Sequence, residues 1–152
     1  MDYNENPKEY YPPMHTAEHL LNGTMEKMFG CGRSFSAHIE KKKSKCDYYF
    51  DRDLTIAEIQ TIEEKVNSLI ADDLPVKEEF IGREEAEKIF NLSRLPDEAG
   101  ETLRVIRIGD YDKCLCSGPH LNSTKEIGSF KIISTGFGNN VLRVRFKITE
   151  AE

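Results

Sequence analysis

Between Leu54 and Asp73 the chain reads LTIAEIQTIEEKVNSLIADD, with Ile56, Ile59, Ile62, Val66, Leu69 and Ile70 recurring at the 3.6-residue spacing of one helical face. Thr55 and Glu58 supply a capping box at its start. A second helix is predicted over 14–29, MHTAEHLLNGTMEKMF, with Pro13 ahead of it and Gly30 and Gly32 ending it. The segments RSFSAHIEKK (33–42) and KCDYYFDR (45–52) read as two strands joined around a lysine run, a hairpin. PVKEEFI (75–81) reads as a strand, REEAEKIF (83–90) as a short helix and NLSRLPDEAGE (91–101) as a loop. TLRVIRIG (102–109), SFKIISTGF (129–137) and VLRVRFKIT (141–149) alternate as strands do.

Helices early and central, with a strand-rich second half, predict an α+β fold in which helices pack on an antiparallel or mixed β-sheet as a two-layer sandwich. Residues 1–13 read as an extended polar arm ending at Pro12-Pro13, and residues 14–152 as one domain. A chain of 152 residues can bury about two-thirds of its unfolded surface.

Composition narrows the function classes. Hydrophobic residues make up 38% and charged residues 32%, and no apolar run approaches the roughly 20 residues that span a bilayer. The acidic start lacks the apolar region of a secretory signal. With four cysteines (Cys31, Cys46, Cys114, Cys116) and no other sign of export, a reduced, cytoplasmic setting is expected. The net charge of −6 argues against a nucleic-acid partner, but its distribution does not. Residues 31–50 and 101–149 carry an excess of basic groups, while 53–100 holds a large acidic excess, so a basic surface can coexist with an acidic middle. Neither a membrane nor DNA is expected as a partner, and the pattern leaves the oligomeric state open.

The candidate chemistry begins in the first helix. His15 and His19 are one turn apart, about 40° around the axis and ~6 Å along it, so two imidazoles can converge on one ion. Such a pair also arises by chance. The chain has four histidines, however, and His120 stands four residues after Cys116 in CLCSGPH. Thiolate and imidazole both suit zinc, and Ser117-Gly118-Pro119 has the composition of a tight turn. Two pairs about a hundred residues apart fit a helix and a distant loop closing one site.

These residues resemble a known family. HTAEHLL (His15, His19), then CSGPH (Cys116, His120), then Thr124, Ile127-Gly128 and Phe130-Lys131-Ile132 are similar to the second additional domain shared by alanyl- and threonyl-tRNA synthetases, and to its freestanding AlaX-type editing form. The resemblance runs from about Pro13 to Thr149. It implies an editing-domain fold and a zinc-dependent hydrolase acting in trans on mischarged tRNA, in the service of translation fidelity. His15, His19, Cys116 and His120 would hold Zn2+ and form the catalytic centre. CSGPH has the Gly-Pro-His of the threonyl branch, whereas IGSFKI resembles the alanyl branch. Serine, edited by both branches, is the expected acyl group, with alanine tRNA as first carrier and threonine tRNA as second. Where the alanyl branch carries Gln, Gly and Ser, this chain has SFSAHIE, which places Ser36 and His38 as candidate substrate contacts.

Lys41, Lys42, Lys43 and Lys45 at the hairpin tip are candidate tRNA-phosphate contacts or, equally, a solvated surface. Tyr48, Tyr49 and Phe50 offer a stacking platform for the terminal adenine, although alternation puts at least one in the core. Cys46 and Cys114 are expected as spectators. Two rivals come from other classes. HTAEH also fits His-x-x-Glu-His, the inverted zinc-peptidase signature, with Glu18 as general base and a carboxylate needed as third ligand. A non-catalytic module would keep zinc for folding and bind tRNA or a protein.

Overall fold

A computed structural model describes residues 11–89, 102–116 and 118–150. Most of the expected polar arm and the expected loop at 91–101 lie outside the described residues. The order is α1 (Pro12–Phe29), β1 (Ser36–His38), β2 (Ser44–Tyr49), α2 (Ile56–Ala71), β3 (Val76–Gly82), α3 (Arg83–Ile89), β4 (Thr102–Ile108), β5 (Asp112–Leu115), a short 3-10 helix (Thr124–Ile127), β6 (Ser129–Gly138) and β7 (Val141–Thr149). The fold is α+β, as the sequence pattern predicts. The strands form two antiparallel sheets rather than one, ordered β1-β2-β7-β6 and β3-β4-β5. No helix among the described residues is long and apolar enough to cross a membrane.

The first helix starts at Pro12, two residues earlier than expected, because a proline costs nothing in the first turn, where its missing N–H has no intrahelical partner. It ends where Gly30 takes a left-handed conformation and donates its N–H to Glu26 O. Every residue from Met14 to Met25 is buried, polar ones included, so this stretch of α1 is enclosed by protein, while Glu26, Lys27 and Met28 in the last turn are exposed. Asn22 bonds the Tyr48 hydroxyl of the four-stranded sheet, and Gly23 packs against Asp112 of the three-stranded one.

The second helix carries the expected capping box: Thr55 Oγ1 accepts from Glu58 N–H and the Glu58 carboxylate accepts from Thr55 N–H. Its buried face is Ile62, Val66, Leu69 and Ile70, whereas Ile56 in the first turn is 78% exposed. These side chains join Met14, Leu20, Leu21, Tyr48, Val144 and Phe146 in the main core. A smaller cluster of Ala86, Leu103, Val105 and Leu115 seats α3 on the second sheet.

The strand expected over 33–42 shortens to three residues. Ser44 Oγ accepts from Glu40 N–H at 2.9 Å and donates to Glu40 O, so a side chain takes the place of ladder pairing and turns the lysine loop. The strands β6 and β7 meet at Asn139-Asn140, both with positive φ (52° and 60°), the tight turn that matches the twist of a hairpin. The four residues of β5 and the 3-10 helix are too short for periodicity to reveal.

Candidate metal centre

The first helix presents His15 and His19 one turn apart, and the loop after β5 returns Cys116 and His120 to them. One donor atom from each of the four lies within 4.8 Å of the others. Cys116 Sγ is 3.4 Å from His15 Nε2 and 3.5 Å from His120 Nε2. Donors about 2.0–2.3 Å from a tetrahedral zinc stand about 3.3–3.8 Å apart, so these separations already fit. The ring centroids of His15 and His120 are 4.1 Å apart and stacked, and His19 meets both edge-on.

The outward ring nitrogens decide which atoms face inward. His15 Nδ1 is 3.1 Å from Pro119 O. A carbonyl only accepts, so Nδ1 carries the proton and Nε2 keeps its lone pair toward Cys116. His120 Nδ1 lies 3.0 Å from Thr16 Oγ1, which also accepts from Leu121 N–H. Pro119 thereby sets His15 to offer Nε2, and the Thr16 hydroxyl, able to donate or accept, holds the His120 ring with its Nε2 toward Cys116.

Backbone geometry holds the loop in place. Arg104 on β4 donates to Cys116 O at 3.1 Å and to Gly118 O at 2.7 Å. A Cβ on Gly118 would stand 2.4 Å from His15 Cε1, so only glycine lets the loop pass the ring. Gly118 N–H also points at Cys116 Sγ, 3.4 Å away.

Burial sets the protonation preferences. It lowers His15 to about 4 and His120 to about 2, with Arg104 and Arg33 lowering both further and His15 lowering His120. Burial also lowers His19 well below its ordinary value and pushes the Cys116 thiol up. The three imidazoles are therefore neutral bases, and the thiol keeps its proton unless a cation replaces it. Three neutral nitrogens and one sulfur, converging without a carboxylate among them, are a donor set suited to zinc.

Residues 103–144, which include Cys116, His120 and the strands that carry them, match the model for the threonyl and alanyl tRNA synthetase second additional domain. Over those residues the chain is of that second-additional-domain type. It is 32% identical over 138 residues to the alanine–tRNA ligase of Ligilactobacillus salivarius, an alignment covering 90% of this chain and 16% of the ligase. Alanine–tRNA ligases of Microcystis aeruginosa (34% over 132 residues, 86% of this chain and 15% of the ligase) and Fervidobacterium nodosum (34% over 121 residues, 79% and 14%) are similar to it as well. The chain thus spans about a sixth of the length of the curated relatives it matches.

The four expected metal ligands come together, two of them within the matched residues and two on α1, and the expected substrate contacts do not join them. Ser36 and His38 lie in register with Asp47 and Lys45 on the outer face of the four-stranded sheet, away from α1. His38 is exposed and pairs with Glu40 at 3.1 Å. Lys41, Lys42 and Lys43 are exposed in the β1–β2 loop, with Lys41 Nζ 5.6 Å from the Tyr11 ring, and Lys45 lies on β2. Tyr48 is core, whereas Tyr49 is 66% exposed and stacks on Phe35. None of the four cysteines forms a disulfide. Burial pushes Cys114 up to about 12, and its Sγ–H donates to Leu115 O, consistent with a spectator. Glu18 is buried beside His15, with Oε1 3.8 Å from His15 Nε2, and its Oε2 accepts from Asn22 Nδ2.

Thr16, Arg104, Asp112 and Arg33 escaped the sequence reading. Thr16 sits inside the motif and carried a usable signal, being a hydroxyl between two ligand histidines. The other three are ordinary charged residues whose role exists only in the folded arrangement.

Proposed function

We propose that this domain is a zinc-dependent aminoacyl-tRNA deacylase that acts in the cytoplasm on mischarged tRNA. Serine attached to alanine tRNA is the first substrate and serine on threonine tRNA the second. The observation that carries the reading is the convergence of His15, His19, Cys116 and His120 from two segments about a hundred residues apart. The likeness to alanine–tRNA ligases supports the substrate class.

The reaction adds water to the acyl carbon and breaks its bond to the ribose oxygen, leaving a free amino acid and a ribose hydroxyl. These four residues would hold zinc, which would supply a Lewis acid for an ester carbonyl or a water. The chain's own part is preorganisation. Pro119 and Thr16 fix the His15 and His120 rings, and Arg104 fixes the loop that carries Cys116. Of the four residues His120 is the least buried, so it marks the side from which an ester reaches the centre. Lys41, Lys42, Lys43 and Lys45 would hold phosphates. Ser36 and His38, being exposed on the outer face, would meet the tRNA rather than the acyl group.

One observation favours a second reading. His15, His19 and Cys116 are almost wholly buried, as in closed structural zinc sites, and a non-catalytic tRNA-binding module would show the same geometry. Incubating the purified zinc-loaded protein with a panel of mischarged tRNAs separates the two. Release of serine, with correctly charged tRNA spared, is expected. If every mischarged tRNA stays intact while tRNA still binds, the module takes the place of the deacylase.

A further inference from the structure

The alternation of β7 turns Leu142, Val144 and Phe146 into the core and Arg143, Arg145 and Lys147 to the opposite face. Register extends that face across the sheet. Lys45 stands opposite Arg145, Asp47 opposite Arg143, and Lys131 opposite Lys147. Asp47 pairs directly with Arg143, accepting from it at 2.7 and 2.9 Å, and feels Lys45 and Arg145 only at longer range. Among the described residues no carboxylate lies within ion-pair distance of Lys45, Lys131, Arg145 or Lys147. In a chain of net charge −6 this is a local surplus of partly to well exposed cations on the outer sheet face.

We infer that the outer face of the four-stranded sheet is a docking surface for the phosphodiester backbone of RNA. The identity of that RNA as tRNA rests on the deacylase reading above. Cations recur about every 7 Å along β7, and neighbouring strands lie about 4.8 Å apart, so the surplus forms a band rather than a single anion pocket. A band of this kind suits a polyanion, which gains by releasing counterions at several phosphates at once.

The band also leads toward the metal centre. A cavity of about 210 Å³ lined by His38, Glu40, Lys43, Ser44, Lys45 and Arg145 joins the sheet face to the β1–β2 loop. From that loop Lys41 reaches over the ring of Tyr11, whose carbonyl accepts from His15 N–H at 2.9 Å. Duplex RNA on the sheet can therefore send a single-stranded 3′ end around the loop to the start of α1. Ser36 and His38 lie on the same face and would contact the backbone, which gives these exposed residues a place.

The test follows an uncharged tRNA transcript with an alanine anticodon by fluorescence anisotropy, titrated with the full chain over roughly 0.05–0.3 M salt. Each duplex phosphate contact contributes about 0.9 to the slope of log K against log salt. Lys131→Ser/Arg145→Ser/Lys147→Ser is expected to flatten the slope by nearly three units, and to weaken binding at least about tenfold. Lys131→Ser/Lys147→Ser, confined to exposed side chains, should flatten it by nearly two, which guards against loss of fold at Arg145. Lys77→Ser/Lys88→Ser/Lys113→Ser removes the same charge elsewhere and should leave the slope in place. An unchanged slope in the first two variants, equal flattening in the third, or no binding by the unaltered chain overturns the inference. Deacylation with unchanged slopes removes this surface and keeps the hydrolase. Flattened slopes without deacylation do the reverse.

Discussion

His19 Nδ1 lies 3.7 Å from Asp112 Oδ2, and Arg33 holds the two oxygens of the same carboxylate at 2.8 and 3.1 Å. This nitrogen is buried and has no hydrogen-bond partner, whereas the outward nitrogens of His15 and His120 each have one. A carboxylate that accepts from the outward nitrogen orients a metal-binding imidazole and raises its basicity, and a small shift of either side chain would bring Asp112 within hydrogen-bond reach of Nδ1. Asp112→Asn should therefore lower zinc affinity about 10- to 100-fold, measured by competition with a chelator. Circular dichroism should accompany it, because Arg33 loses its buried counter-charge. A folded variant with unaltered affinity would leave Asp112 with a structural role only.

The ligand set makes a second expectation. Protein purified in the presence of zinc should carry about one ion per chain, and His19→Ala or His120→Ala should sharply reduce that content. Gly118→Ala tests the same centre from the backbone side. The added methyl must push aside the His15 ring, so overpacking should cost about 1–3 kcal/mol and zinc content should fall. Full zinc content in both histidine variants would remove the metal from this account.

How much of this was legible in the sequence depended on range. The capping box of α2, the Gly30 stop and the alternation of β7 are local and are found as expected, whereas the alternation of β6 holds only to Ile132, where the register to β7 shifts. The four converging residues were legible because the paired spacing survives a hundred intervening residues. Gly118 was read as turn composition, but its requirement is the His15 ring against its α-carbon, a contact between distant segments. Asp112 and Arg104 were missed for the same reason. The division into two sheets was hidden too, since β5 is four residues long and β3 keeps Lys77, Glu78, Glu79 and Phe80 exposed, without alternation.

Acid should weaken the fold through Asp47. Hydrogen bonds from Arg143 hold its carboxyl below the ordinary value of 3.8. A depressed carboxyl contributes stability that is present above the unfolded value and lost as pH falls through the folded one. Urea midpoints should thus drop below about pH 4, and Asp47→Asn should lose less over that window than the unaltered chain. The difference should stay within about 1 kcal/mol, because Arg143 is partly exposed and salt screens the pair. Identical acid profiles would show that the pair contributes nothing measurable.

Glu18 separates the deacylase from the peptidase that its His-x-x-Glu-His setting also suggests. Tyr48 Oη and Ser34 N–H both donate to Asn22 Oδ1, at 2.8 and 3.0 Å, which fixes the amide so that its Nδ2 donates to Glu18. Glu18→Gln keeps an oxygen for that amide and changes little volume, so the variant should fold and retain zinc. An ester of tRNA is activated, and a centre that orders the acyl carbon and water can hydrolyse it without a strong protein base. Release of serine from Ser-tRNA should therefore fall modestly at most, about tenfold or less against the 10²–10⁴-fold typical of a lost general base. A peptidase would lose nearly all activity. Single-turnover rates on preformed Ser-tRNA with an alanine or threonine anticodon give the measurement. A loss of about a thousandfold with zinc retained would make Glu18 the base, and the editing mechanism as drawn would fail.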